Sequence, residues 1–272
     1  MQKYTVPIIL IIILLLIGSV AVKTIRQFKE SNILSTGIKV EATPTPLRLP
    51  NGTITETEYG RVKYLVFGVK IPNLSKISLI ANFSEKFTGE KLVKENNCDL
   101  GINGGFYQGN EQPLGLFFSG EKQYGKIVKS SIANSFVWQD KAGDLRFIRT
   151  PPVNFQFTDF IFQTGPYIFP NKNQLRLIRD ERARRSLLGK DFQGNLYFIS
   201  ITKKDNLDAG PHLADLPVIF WQLKEGNIFP LEELVNLDGG SASFFYSRDE
   251  EGNLTLSSWA PIGSLICVRW EK

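Results

Sequence analysis

Two stretches in which an apolar, strand-like run ends in a polar residue and two glycines constrain this chain most strongly. The first, Leu100–Tyr107, contains Asn103 before its glycine pair, and the second, Val235–Ser241, contains Asp238. Glycine permits a sharp turn and lets the backbone approach a ligand closely. Because Asn-Gly and Asp-Gly are also strong hairpin signals, either stretch alone is equally compatible with an ordinary tight turn. Together they predict two strand ends that form two walls of one site.

The N-terminus carries an apolar run from Ile8 to Val22 that follows a single basic residue, Lys3. This order is typical of a secretory signal or a signal anchor. The sequence Ser19–Ala21 is a possible cleavage site, but the run is only slightly shorter than a membrane-spanning helix. Residues 1–30 are therefore predicted to be a signal peptide or a membrane anchor, and both alternatives stay open. In either case we expect an extracytoplasmic protein, secreted or anchored in the membrane.

Residues 31–58 are rich in Ser, Thr, Pro and Gly and lack apolar periodicity, which predicts a linker. Residues 59–272 then form one folded domain, which is long enough for a sizeable core and too short to need a second domain.

Charge and residue counts exclude several classes of function. The 32 basic and 27 acidic residues leave a net charge of +5, so no nucleic-acid partner is expected. The single histidine, His212, excludes a histidine-rich metal site, and neither a metal nor another cofactor is predicted. Cys98 and Cys267 are compatible with one disulfide in an oxidising compartment and equally with two free buried thiols.

Strand and turn signals dominate the domain. Runs rich in β-branched and aromatic residues predict strands over 61–69 and 77–81. Four hairpins are predicted where glycine-containing turns separate such runs, around Gly120, Gly143, Gly194 and Gly252.

Helix signals are few. Thr88 is a suitable N-cap for a short helix through Glu95, and Asp215 is a suitable N-cap for a helix over Leu216–Lys224. A third helical turn is predicted at Leu231–Leu234. The predicted fold class is therefore α+β, a single domain of mostly antiparallel sheet with two or three helices.

Two further strand ends carry polar groups. Gln163, Thr164 and Gly165 follow an apolar run, and Arg185 with Ser186 directly precedes the apolar start of another predicted strand. The planar guanidinium of an arginine at such a position suits a pair of phosphate oxygens.

These four motifs, Asn-Gly-Gly-Phe, Gln-Thr-Gly-Pro, Arg-Ser-Leu-Leu-Gly and Asp-Gly-Gly-Ser, occur in an order and spacing that resemble the phosphodiester glycosidase family. The resemblance spans nearly all of residues 59–272. It implies an exported hydrolase that cleaves a sugar from a sugar-1-phosphodiester, with cell-surface glycans or exopolysaccharide of the cell envelope as the expected substrates. Three positions depart from the family pattern, at Ala183-Arg184, Ser186 and Ser241.

The resemblance also implies roles for individual residues. Asp238 would be the base or nucleophile on the sugar side, and Arg185 would hold the phosphate. Asn103, the third residue of the catalytic set, would bind phosphate or a sugar hydroxyl. The predicted substrate- and phosphate-binding residues are Gly104, Gly105, Gln163, Ser186, Gly239, Gly240 and Ser241. Among these, the backbone N–H groups of Gly104, Gly239 and Gly240 would contact the phosphate, and Ser241 would orient Asp238.

The implied chemistry agrees with the scarcity of acid–base groups. The leaving phosphate monoester has a second pKa of about 6, so it departs without much help from a general acid. One carboxylate could then replace the usual pair. The alternative is a non-catalytic, membrane-tethered module of the same fold that binds glycans or cell wall, and a purely structural role for Asp238 is the third hypothesis.

Overall fold

The structure is a computed structural model that describes residues 47–72, 75–108 and 112–270. The apolar N-terminal run and most of the predicted linker lie outside the described residues. From Arg48 onward the chain forms one compact unit. Among the described helices, none combines the length and apolar character needed to cross a membrane.

The described residues form sixteen strands and two α-helices. In chain order they are β1 (Gly52–Tyr59), β2 (Val62–Lys70), β3 (Lys76–Ala81), α1 (Gly89–Glu95), β4 (Leu100–Asn103), β5 (Phe117–Ser119), β6 (Lys122–Gly125), β7 (Ser135–Asp140), β8 (Leu145–Ile148), β9 (Thr158–Thr164), β10 (Tyr167–Ile168), β11 (Arg185–Asp191), β12 (Leu196–Lys203), α2 (Leu216–Glu225), β13 (Leu231–Asn236), β14 (Phe245–Asp249), β15 (Gly252–Leu256) and β16 (Ser264–Arg269).

The strands form three antiparallel sheets. The first sheet has the order β1-β2-β12-β11-β13-β10, the second β15-β14-β4-β16-β3 and the third β6-β5-β9-β7-β8. Strands β4, β9 and β13, which carry three of the four motifs, therefore belong to three different sheets. The predicted fold class of mostly antiparallel sheet with few helices is confirmed.

One core is shared by all three sheets, and it explains the continuous apolar runs. Leu188 of β11 lies in this core with Phe162 of β9 and Ile102 of β4. Leu187, the preceding residue, points to the opposite face of the first sheet, where it packs with Phe220 of α2. Because both faces of the first sheet are covered, its central strands are apolar at successive positions rather than at alternate ones.

The local signals predicted most elements correctly. The two predicted strands are β2 and β3, and the four predicted hairpins are β5–β6, β7–β8, β11–β12 and β14–β15. Helix α1 ends at Glu95 as predicted, and Thr88 caps it by accepting a hydrogen bond from Lys91 N–H at 3.3 Å. Helix α2 starts at Leu216 as predicted, but the Asp215 side chain makes no capping bond. It accepts a hydrogen bond from Gln174 Nε2 at 2.6 Å instead.

The predicted helical turn at Leu231–Leu234 is wrong, because these residues begin β13. Both leucines are fully buried, and β13 pairs with β11 on one side and β10 on the other. Pairing with strands distant in sequence outweighs the weak helical preference of this short segment.

The folded unit also begins earlier than predicted. Strand β1 takes in residues 52–58, which were assigned to the linker, and pairs with β2 over its whole length. Its alternating Thr and Glu residues are mostly exposed, as expected of an edge strand with one solvated face. Such a polar strand has the same composition as a linker, so composition alone could not separate the two.

Of the two alternatives for the cysteines, the structure contains the disulfide. Cys98 and Cys267 are joined, with their Cα atoms 5.5 Å apart. The bond ties the segment between α1 and β4 to β16 across 169 residues of sequence. A cross-link that closes so long a loop restricts the unfolded chain strongly.

We therefore expect the disulfide to contribute about 2–5 kcal/mol to the free energy of unfolding. Denaturant titration of the wild type with and without reductant, beside a Cys98→Ala/Cys267→Ala double variant, measures this contribution. The reduced wild type and the double variant should show the same loss, and reductant should not affect the double variant. Unchanged stability of the wild type under reduction would contradict the assignment.

Candidate active site

The two strand ends predicted from the glycine motifs lie side by side. Strand β4 ends at Asn103, and β13 ends two residues before Asp238. Asp238 N–H donates to Gly104 O at 3.0 Å, and Asn103 Nδ2 donates to Asp238 O at 2.7 Å. The ends of strands from the first and second sheets are thus held together by backbone and amide hydrogen bonds.

The third sheet joins the same junction through Asn236. Its Nδ2 donates to Gly165 O at 2.9 Å and to Leu237 O at 2.7 Å. The backbone carbonyl oxygen of Asn236 accepts hydrogen bonds from Thr164 Oγ1 at 2.8 Å and from Gly165 N–H at 3.0 Å. The end of β9, where the Gln-Thr-Gly-Pro motif lies, is thereby fixed against the end of β13.

Asp238 lies at this junction and is partly buried. Burial raises its pKa from 3.8 to about 7, and a hydrogen bond that Gly239 N–H donates to Asp238 Oδ1 at 2.9 Å opposes the shift only in part. Near neutral pH this group therefore exists in both its protonated and ionised forms. A carboxyl group with such a pKa is suited to proton transfer or nucleophilic attack at neutral pH.

Arg185, at the start of β11, lies against the Asp238-Gly239 turn. A Cβ atom on Gly239 would come within 3.6 Å of both Cδ and Nη1 of Arg185. The guanidinium is held from its other side, since Nε donates to Pro211 O at 3.2 Å and Nη2 donates to Asp180 Oδ1 at 3.3 Å. Burial lowers the pKa of Arg185 while Asp180 raises it, and the group stays protonated at physiological pH.

Asp180 is a positioning residue that the sequence did not reveal. Its carboxylate accepts hydrogen bonds from Leu213 N–H at 2.9 Å and Ala214 N–H at 2.7 Å, besides the bond from Arg185. It thereby caps the turn that leads into α2 and fixes the arginine at the same time. Its backbone partners lie more than thirty residues away in sequence, so no local pattern marks it. His212 lies nearby, with Nδ1 4.0 Å from Asp180 Oδ1.

The three backbone N–H groups expected to bind phosphate are already bonded inside the protein. Gly104, Gly239 and Gly240 each donate to an internal acceptor. The acceptors are Ser264 O (2.8 Å), Asp238 Oδ1 (2.9 Å) and Arg184 O (2.9 Å), respectively. Gly104 serves the close packing of its turn, because a Cβ there would lie only 2.2 Å from Ser264 Oγ, whereas Gly240 adopts a positive φ of 61°. In this arrangement they do not offer their N–H groups to a ligand.

Several other predicted site residues lie beneath the junction rather than on its surface. Asn103, Gln163 and Ser186 are buried, with side chains bonded inside the protein. Asn103 Oδ1 accepts a hydrogen bond from Phe244 N–H at 2.9 Å. Gln163 Nε2 donates to Val128 O at 2.7 Å and to Ala133 O at 2.8 Å, and Ser186 Oγ bonds to Ser243 Oγ at 2.7 Å. Gly105 is also buried, and a Cβ there would approach Gln163 O to 2.9 Å. These residues fix the geometry of the site.

Ser241 and Tyr107 both contact the segment that follows β15. Ser241 is exposed, and its carbonyl oxygen accepts hydrogen bonds from Trp259 N–H at 2.8 Å and Ala260 N–H at 3.1 Å. Tyr107 Oη donates to Pro261 O at 2.5 Å. Burial and then the charge of Asp238 raise the pKa of Tyr107, which places the phenol in the surroundings of that carboxylate. Tyr107 follows the Asn-Gly-Gly-Phe motif directly, and this position was its only sequence signal.

Comparison with known proteins agrees with these motifs. The family model described as phosphodiester glycosidase matches residues 96–269, which is more than half of the chain. No curated protein sequence matches significantly.

Among solved structures, the fold is similar to the catalytic domain of zebrafish N-acetylglucosamine-1-phosphodiester alpha-N-acetylglucosaminidase, auto-inhibited by its pro-peptide. The TM-score is 0.56 at 17% identity, covering 84% of this chain and 85% of that one. A hypothetical protein from Synechocystis is also similar, with a TM-score of 0.50 at 13% identity, covering 80% of this chain and 61% of that one.

Removing the Asn103 amide should destabilise the protein. Asn103→Ala leaves the buried Phe244 N–H and the Asp238 carbonyl without partners, so we expect a loss of about 2–4 kcal/mol in the free energy of unfolding. Asn253→Ala, on the exposed β14–β15 hairpin, is the matched control and should change stability by less than about 0.5 kcal/mol. Similar small losses in both variants would contradict the role assigned to Asn103.

Asp238 should make stability fall as the pH rises. The unfolded chain releases this proton near pH 3.8 and the folded protein near pH 7, so the folded state holds the extra proton between these values. Stability is therefore lost progressively from about pH 4 to about pH 7. We expect Asp238→Asn to be more stable than the wild type by about 1–3 kcal/mol at about pH 8, and to show little difference near pH 4.

Denaturant titrations across this pH range test the expectation, with the exposed Asp159→Asn as the matched control. A difference between Asp238→Asn and the wild type that does not depend on pH would contradict the raised pKa of Asp238.

Proposed function

This chain belongs to the phosphodiester glycosidase family, and we propose that it is a hydrolase that releases a sugar from a sugar-1-phosphodiester. The observation that carries the proposal is Asp238, a carboxyl group with a pKa of about 7 at the junction of three sheets, followed by Gly239, against which Arg185 packs. The carboxylate can act on the sugar, where positive charge develops, and the guanidinium can bind the phosphate, where negative charge develops.

The reaction breaks the bond between the anomeric carbon of the sugar and the bridging oxygen of the phosphodiester. The electron pair of that bond leaves with the phosphate, which becomes a monoester dianion with a second pKa of about 6. Because so weak a base departs readily, no strong general acid is needed on this side. The absence of a second carboxyl group from the motif set is therefore compatible with turnover.

Asp238 acts on the sugar side in its ionised form. It either takes a proton from the water that attacks the anomeric carbon or attacks that carbon itself, after which water releases the sugar. In both routes the water supplies a hydroxyl to the sugar and a proton to the medium. A pKa of about 7 makes Asp238 a stronger base than an ordinary aspartate while leaving much of it ionised at neutral pH.

Arg185 acts on the phosphate side. Two of its nitrogens are held by Pro211 O and Asp180, while Nη1 lies next to the Gly239 backbone. A guanidinium fixed in this way needs little reorganisation to bind a phosphate oxygen. Because the N–H groups of Gly104, Gly239 and Gly240 are bonded internally, Arg185 is the principal hydrogen-bond donor to the phosphate in this proposal.

Two features support an extracytoplasmic location. The Cys98–Cys267 disulfide is typical of proteins in oxidising compartments. The apolar run at Ile8–Val22 is typical of an export signal or anchor. We therefore place the proposed activity on cell-surface glycans or exopolysaccharide, with the chain secreted or held at the membrane by its N-terminus.

A second candidate is a glycan-binding module of the same fold that does not turn its ligand over. The internal bonding of the three glycine N–H groups favours it, because an enzyme of this type would be expected to use more than one donor for its phosphate. The unusual pKa of Asp238 favours the enzyme.

Hydrolysis of a panel of sugar-1-phosphodiesters by the purified full-length chain tests the proposal. We expect sugar release by the wild type and a loss of about 10²–10⁴-fold in kcat for Asp238→Asn. Below about pH 7, kcat/KM should fall as Asp238 becomes protonated. Full activity of a folded Asp238→Asn variant would overturn the mechanism, and tight binding of the panel without turnover would favour the second candidate.

Arg185→Ala tests the phosphate contact separately. We expect KM to rise about tenfold to a hundredfold, since a charge-assisted contact to phosphate is lost. Arg182→Ala, an exposed neighbour in the same arginine-rich segment, is the matched control and should behave as the wild type. Equal kinetics of the two variants would contradict the role of Arg185.

A further inference from the structure

A groove of about 420 Å³ lies beside the Asp238 turn and is not used by the chemistry proposed above. It is lined by Arg184, Leu207, Asp208, Thr255, Ser257 and Trp259. Its volume falls within the range typical of small-molecule sites in proteins.

Trp259 is exposed but firmly held. Its residue surface is 73% exposed, which is unusual for the largest apolar side chain. Its Nε1 donates to Asp208 Oδ1 at 2.8 Å, and its backbone N–H donates to Ser241 O at 2.8 Å. The indole ring is thus fixed on the surface at both ends, so little conformational entropy remains to be lost when a ligand contacts it.

A buried arginine lies close to Asp208. Arg184 is only 2% exposed, and its Nη1 lies 3.8 Å from Asp208 Oδ1. Its Nη2 donates to the carbonyl oxygens of Ser243 and Ser257, while its Nε finds no partner within the described part of the chain. The Arg184 guanidinium and the Trp259 indole N–H both approach Oδ1 of Asp208. Its Oδ2 accepts no hydrogen bond from any of the residues described.

We propose that this groove is a carbohydrate subsite, in which Trp259 stacks on one face of a neutral pyranose ring and Asp208 accepts hydrogen bonds from its hydroxyl groups. The apolar C–H face of a pyranose complements the flat indole, and its hydroxyl groups supply the donors that a carboxylate needs. An anionic group would meet the exposed carboxylate of Asp208, whereas Arg184 is buried beneath it. The groove therefore favours a neutral sugar over a phosphate.

The subsite adjoins the candidate active site. Ser241, three residues after Asp238, holds the backbone of Trp259 and Ala260. Two residues after Trp259, the carbonyl oxygen of Pro261 accepts the hydrogen bond from Tyr107 Oη. The charge of Asp238 contributes to the raised pKa of Tyr107. The loop over 257–263 is thus bonded to Ser241 and to Tyr107, and it carries the indole of Trp259. This inference rests on the proposed function. If both sites act on one molecule, the substrate is an oligosaccharide or polymer rather than an isolated sugar phosphodiester.

Isothermal calorimetry on the full-length chain tests the subsite without requiring turnover. The probes are cellotetraose, maltotetraose and chitotetraose, with glucose-1-phosphate as the anionic counterpart. We expect at least one neutral tetrasaccharide to bind and Trp259→Ala to weaken that binding about tenfold, with Trp259→Phe intermediate. Phe192→Ala removes an equally exposed aromatic residue (71%) from the β11–β12 hairpin and should leave binding unchanged.

Three results would overturn the subsite: no tetrasaccharide binds the wild type at millimolar concentration, Trp259→Ala and Phe192→Ala bind the tetrasaccharide equally well, or Trp259→Ala weakens only the binding of glucose-1-phosphate.

A kinetic comparison tests the extended substrate. Here kcat/KM is compared for two phosphodiesters with the same scissile bond, one on a single sugar and one on an oligosaccharide. Trp259→Ala should lower the oligosaccharide-to-monosaccharide ratio about tenfold, and an unchanged ratio would contradict it. If the wild type hydrolyses neither compound, the proposed function fails while calorimetry still decides the subsite.

Discussion

The buried amides of Asn103 and Asn236 hold the ends of strands from three sheets together, and the candidate site depends on this junction. Where a strand ends, its backbone groups lose their ladder partners and would be costly to bury unpaired. The two asparagines replace those partners with bonds to Asp238 O, Phe244 N–H and Gly165 O. The chain can therefore turn out of three sheets in a buried place and still satisfy its backbone.

The same junction accounts for the chemistry of Asp238. Partial burial of the turn after β13 weakens the solvation that an ionised carboxylate requires, and the bond from Gly239 N–H replaces only part of it. The protein thus keeps a group that opposes its own folding at neutral pH, as is common at functional sites. Arg185, anchored by Asp180 and Pro211 O, supplies a positive charge beside this turn.

Sequence patterns predicted what is encoded locally and missed what depends on distant partners. The Thr88 cap, the four hairpins and the strand ends at Asn103 and Asp238 are set by residues a few positions apart. Asp180 could not be found in this way, because its backbone partners are over thirty residues away. The internal bonding of the Gly104 and Gly240 N–H groups was missed for the same reason, since their acceptors are Ser264 O and Arg184 O. The sequence shows that Asp238 is a carboxyl group near a strand end, but it does not show how far that group is buried.

The most direct test of this account is to titrate the Asp238 carboxyl itself. Carbon-13 NMR of the wild type, with the resonance assigned by its loss in Asp238→Asn, reports the pKa of this one group. The account predicts a midpoint near the value of about 7 that burial produces. A midpoint close to about 4, the value of an ordinary solvated aspartate, would show that the carboxyl is not desolvated and would contradict the central claim.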